Sequence, residues 1–119
     1  MKNEERDLKA RTKQFARRII RLYSALPKET VAQVLGKQVL RSRTSVGANY
    51  REANRARSKA EFIAKIGDGL KEVDESQYWL ELLVDESIVH QRKMIGLIAE
   101  SDELIAIFVS ILNSSKSGV

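Results

Sequence analysis

The stretch RSRTSVGANYREANRARSKAEF, Arg41 to Phe62, decides how this chain folds. It has helical spacing, yet Ser42, Thr44, Ser45, Gly47, Ala48 and Asn49 stand where a helix usually carries bulky core residues, and Arg51, Arg55, Arg57 and Lys59 follow. With the residues before it, the stretch continues a stripe of Ala32, Leu35, Val39, Ser42, Val46, Asn49, Ala53 and Ala56, spaced alternately three and four apart. That spacing predicts a helix over about 28–56. Small residues on the stripe let a neighbouring helix approach closely, at a cost of roughly 1.5–3 kcal/mol for each large aliphatic side chain forgone. A buried Asn49 needs hydrogen-bond partners, and its expected role is to fix register or a subunit contact, as a single buried Asn does in coiled coils.

Downstream, Ser58 and Glu61 have the spacing of a capping box and open a helix over about 58–85. Its core positions are Phe62, Ile63, Ile66, Leu70, Val73, Leu80, Leu83 and Val84. Gly67 and Gly69 interrupt it, each at about 1 kcal/mol relative to alanine, which points to close packing against a neighbouring helix. A further helix over about 90–113 carries Met94, Leu97, Ile98, Leu104, Ile105, Phe108, Ile111 and Leu112. Upstream, Leu8, Phe15, Ile19, Leu22 and Leu26 share one face of a helix over about 5–26, which Pro27 ends. Four helices with short connections, in one domain spanning residues 1–119, make an all-α, antiparallel up-down-up-down four-helix bundle the economical fold.

The apolar stripes of the last two helices are broader than one bundle requires. Tyr78, Trp79 and Leu82 lie off the main seam, as do Ile107 and Val109, so a second apolar surface and self-association are expected. Asn49, Tyr78, Trp79 and Leu82 are the candidate interface residues.

Composition narrows the chemistry. Without cysteine there is no thiol nucleophile and no zinc–thiolate site, and a reducing cytosol fits. The opening residues lack the apolar core of a signal peptide and no apolar run reaches the ~20 residues of a membrane span, so a soluble cytoplasmic protein with no membrane partner is expected. The net charge of +5 hides an asymmetry. Residues 1–60 hold sixteen Lys and Arg against five Asp and Glu, a balance of +11, whereas residues 61–119 hold five against eleven, or −6. Such a split serves either a polyanionic partner or the pairing of basic with acidic helices.

The basic candidates are Lys13, Arg17 and Arg21 at four-residue intervals on the first helix, with Arg41, Arg43, Arg51, Arg55, Arg57 and Lys59 further on. Arginine suits phosphate through its two-pronged donor geometry, and Tyr50, one heptad from Arg43 and from Arg57, is the residue on which a base would stack. The competing reading is a solvated surface, or ion pairs to Glu72, Asp74, Glu75, Glu81 and Asp85. Asp68, Glu72 and Glu75 share a helix face, but bundle metal sites take Glu-x-x-His motifs, and the one histidine, His90, fits a surface or capping role. No nucleophile has a base partner at a meaningful spacing, and no cofactor motif is present, so no enzyme and no cofactor is expected.

The segment RSRTSVGANYREANRARSKAEFIAKIGDGLKEVDESQYWLELL, with RIIRLYSALP before it and ELIAIFVSIL after it, resembles the signature of the 23S rRNA intervening-sequence proteins, or S23 proteins. The resemblance implies a left-handed antiparallel four-helix bundle assembling into a homo-oligomeric ring, a pentamer. It extends to the accessory protein of diversity-generating retroelements, whose basic surface serves nucleic acid and a reverse transcriptase. Arg43 stands where the family's RSGTS carries glycine, which adds charge at a position usually small. Two functions are then expected to compete: an oligomeric nucleic-acid-binding protein, with RNA ahead of DNA as partner, or an oligomeric scaffold for a protein partner. The first should lose its ligand as salt rises.

Overall fold

A computed structural model describes residues 2–116, with the side chains of residues 8–42 and 45–116. Four helices follow one another: α1 (Lys2–Ser24), α2 (Thr30–Asn54), α3 (Lys59–Asp85) and α4 (Gln91–Lys116), with no strand among the described residues. At 1.5 Å per residue the helices are about 35–40 Å long, so within a body of 49 × 22 × 20 Å all four must lie lengthwise. The chain is a four-helix bundle.

Local chemistry sets the ends. Between α1 and α2, the Gln33 amide donates to the Pro27 carbonyl at 2.8 Å, and its oxygen accepts from the Tyr23 hydroxyl at 3.1 Å. At the start of α3, Ser58 Oγ accepts from the Glu61 amide at 3.0 Å. The Glu61 carboxylate reaches back one residue further than in the usual capping box, to the amide of Arg57 at 3.2 Å. The α3–α4 turn is a Schellman motif: Ile88 N donates to Leu83 O at 3.0 Å, Ser87 N donates to Val84 O at 2.9 Å, and Ser87 holds φ 59° where glycine is customary. His90 Nδ1 accepts from the Arg92 amide at 3.0 Å and caps the start of α4.

The core is one apolar column in which Phe15, Ile19, Val39, Val46, Ile66, Val73, Leu80, Leu83, Met94, Leu104 and Phe108 are fully or almost fully buried. Ser42, Ser76 and Ser101 sit inside it with their hydroxyls satisfied, because each donates to a carbonyl of its own helix, at Gln38, Glu72 and Ile98 respectively. The small residues on α2 and α3 have distinct uses. Gly36 is buried where a Cβ would meet Leu26 Cδ1 at 2.5 Å and Tyr23 Cδ1 at 2.9 Å. Gly69 faces Phe108, whereas Gly67, expected to pack closely, has nothing within 4 Å of the position its Cβ would occupy. α2 and α3 form the most extensive helix pair, and α1 meets α4 least.

Two expectations change. Tyr50 is only 2% exposed and packs in the core with its ring 6.2 Å from that of Phe108, so no base can stack on it. The reason lies in the spacing: Tyr50 is four residues after Val46 and three before Ala53, on the same buried face. α2 also ends at Asn54, so Ala56 and Arg57 lie in the α2–α3 connection and not on the helix that carries the stripe.

Candidate nucleic-acid interface

Side by side, α1 and α2 leave a shallow groove of about 300 Å³ on their outer surface. Its floor is Thr12, Ala16, Gly47 and Ala48, and its walls are Lys9 and Lys13 from α1 and Arg51 from α2. A Cβ on Gly47 would lie 3.5 Å from Thr12 Oγ1, an ordinary contact, so the small residues of the Arg41–Phe62 stretch leave this groove open without being required for the helix spacing. Lys13 and Arg51 thus come together.

The other predicted cations are distributed around this groove. Arg17 and Arg21 are exposed on α1, one and two turns beyond Lys13. Arg55 caps α2, Arg57 follows it and Lys59 opens α3, all exposed at the same end of the bundle. Lys13, Arg17, Arg21, Arg51, Arg55, Arg57 and Lys59 form no ion pair among the described residues. Arg41 is different, since its guanidinium lies 3.8 Å from Glu75 Oε1 on α3. The side chain of Arg43 lies outside the described residues.

Acidic residues on α3 and α4 are partly matched inside the chain by cations that the sequence pattern did not single out. Arg11, half-buried on α1, grips Glu100 with two hydrogen bonds, of 3.0 Å from Nε and 2.6 Å from Nη2, and reaches Glu103 at 3.4 Å. Lys65 on α3 meets Glu52 on α2 at 2.8 Å, and that hydrogen bond holds its ammonium pKa above the usual lysine value. Glu72 titrates above the ordinary carboxylate range, chiefly because burial disfavours its charge and also because Glu75 is near, with Arg41 pulling the other way. Among the described residues no three His, Cys, Asp or Glu converge in a way that could hold a metal ion.

Of the candidate interface residues, Tyr78, Trp79 and Leu82 lie on α3 and Asn49 lies on α2. Tyr78 is 55% exposed and meets Trp79 edge-on at 5.1 Å. Trp79 packs against the core with a buried Nε1 that has no hydrogen-bond partner among the described residues. Leu82 is half-buried and outside the core cluster. Between α3 and α4 runs a second groove, lined by Val84, Ile98 and Ala99, with Ile95 60% exposed and Glu81, Asp85 and Asp102 also lining it. Asn49 is half-buried and its side chain makes no hydrogen bond among the described residues, so it does not set register inside the chain. No helix is long and apolar enough to cross a membrane among the described residues.

The described residues thus form an all-α four-helix bundle with a basic α1–α2 flank and an acidic, partly apolar α3–α4 flank. This chain belongs to the family described as 23S rRNA-intervening sequence protein, which it matches over residues 4–110. It is similar to a solved protein of unknown function from the S23 ribosomal protein family of Bacteroides thetaiotaomicron VPI-5482, at 41% identity and a TM-score of 0.83. That similarity covers 88% of this chain and 97% of the other. Among curated proteins nothing matches.

Proposed function

We propose that this chain is a non-enzymatic, cytoplasmic, oligomeric nucleic-acid-binding protein that favours RNA and works through the α1–α2 flank. One observation carries the reading: Lys9, Lys13 and Arg51 line one groove, and neither Lys13 nor Arg51 is neutralised by an acidic partner. The family name, which refers to an intervening sequence in 23S rRNA, supports RNA over DNA. A single subunit binding through phosphate contacts alone has a Kd of roughly 10⁻⁴–10⁻⁶ M at physiological salt. Several copies of the flank on one assembly tighten that by avidity without base readout.

The assembly is a left-handed antiparallel bundle closed into a homo-oligomeric ring, a pentamer. Contact registers favour the antiparallel order, since Gly36 meets Tyr23 while Gly47 meets Thr12, and Gly69 meets Phe108 while Gln77 bonds Ser101. Tyr78, Leu82 and Ile95 supply apolar surface for the subunit contact. The same α3–α4 groove, with its acidic lining, favours a second reading in which the chain is a scaffold for a protein partner.

Fluorescence anisotropy with labelled structured RNA, single-stranded RNA and duplex DNA at two salt concentrations, with the solution mass measured alongside, separates the two. Salt-sensitive binding strongest for RNA is the expected result. No binding at low salt would leave the scaffold reading.

A further inference from the structure

Resting on that reading, we infer that the α1–α2 groove holds the phosphodiester backbone of a single strand, phosphates inward and bases outward. The floor offers no side-chain donor to read a base: Ala16, Gly47 and Ala48 have no polar side-chain atoms, and the Thr12 hydroxyl gives its proton to the Lys9 carbonyl at 3.3 Å. The nearby aromatic side chain, Tyr50, is sealed in the core. What the groove offers is positive charge on both walls. Lys9 and Lys13 stand one turn, about 6 Å, apart along α1, close to the separation of successive phosphates along a strand. Arg17 and Arg21 continue that row, and Arg51 closes the opposite wall with its two-pronged donor. A groove of about 300 Å³ has room for part of one strand's backbone and not for a duplex.

The test separates shape from charge. Ala48→Leu, at an exposed helical site, fills the groove and leaves every cation in place. Lys13→Gln with Arg51→Gln removes charge and leaves the groove open. Each variant is checked by circular dichroism and solution mass, then titrated with labelled oligouridylate and oligoadenylate of equal length, with inorganic polyphosphate as competitor. The expected result is a several-fold weaker Kd for Ala48→Leu on both strands alike. For the double variant the slope of log K against log salt should shrink by about 1.4, two contacts at ~0.7 each. Polyphosphate should displace both strands from the wild-type protein. If Ala48→Leu binds like wild type while the double variant weakens, the flank binds nucleic acid but the strand does not enter the groove, and this inference falls alone. If neither variant weakens binding, the proposed function falls with it. A strong preference between the two strands would also overturn the inference, because it requires base contacts.

Discussion

A Cβ placed on Gly69 of α3 would stand 2.6 Å from Cε2 of Phe108 on α4, closer than real Cβ atoms come to any neighbour. Phe108 is fully buried and backed by Tyr50, so its ring has nowhere to go. Gly69→Ala should therefore destabilise the bundle by about 1–2 kcal/mol, overpacking outweighing the ~1 kcal/mol gained in helix propensity. Gly67→Ala, two residues away with open space around it, should stabilise by up to about 1 kcal/mol. Urea unfolding of both variants measures the contrast, and equal midpoints would refute the packing argument.

The cap of α3 is a single hydroxyl. Ser58→Ala removes the acceptor for the Glu61 amide and should cost about 1 kcal/mol. Ser58→Asp should recover most of it, read as the midpoint of thermal unfolding.

Glu72 gives a pH signature. Its carboxyl pKa is raised in the folded protein, so the native state holds that proton more tightly than the unfolded chain does. The resulting stabilisation is present at low pH and is lost as pH rises through the interval from the ordinary carboxylate value to the raised one. Glu72→Gln, which never ionises, should raise Tm at pH 7 and not at a pH below that interval. A Tm gain of the same size at both pH values would show that charge is not the cause.

Arg51→Glu with Arg55→Glu should weaken binding to every nucleic acid alike while leaving the fold intact, because both side chains are exposed. Tyr50→Ala should do the opposite: it empties a buried aromatic site and costs roughly 3–5 kcal/mol, with any loss of binding following unfolding. Anisotropy measured beside circular dichroism separates the two effects.

Tyr78→Glu and Leu82→Glu should lower the mass in solution without lowering helicity, since Tyr78 is largely exposed and Leu82 lies outside the core. Light scattering checks this, and an unchanged mass would move the subunit contact elsewhere.

The helical architecture was readable because Leu8, Phe15, Ile19 and Leu26, or Ile66, Val73, Leu80 and Leu83, recur at helical spacing and are buried. Tyr50 was legible too, since its spacing from Val46 places it inside, but its position among arginines favoured a surface role. The groove was only half legible. Lys13, Arg17 and Arg21 form a row visible in the chain, but Lys9, one turn before them, was not singled out, and which α2 residue stands across from Lys13 depends on how deeply Gly36 lets the helices settle. The Arg11–Glu100 pair joins residues far apart in sequence, and no local pattern announces it.

That pair has a further consequence. α1 meets α4 less than any other neighbouring helices meet, and Arg11 clasping Glu100 and Glu103 is a polar tie across that seam among the described residues. α1 is thus the bundle's loosest stave and should open first in hydrogen exchange, earlier still at high salt, where the clasp weakens. Because α1 also carries Lys9 and Lys13, a polyanion bridging it to Arg51 would act as a hoop, slowing exchange along the helix it grips.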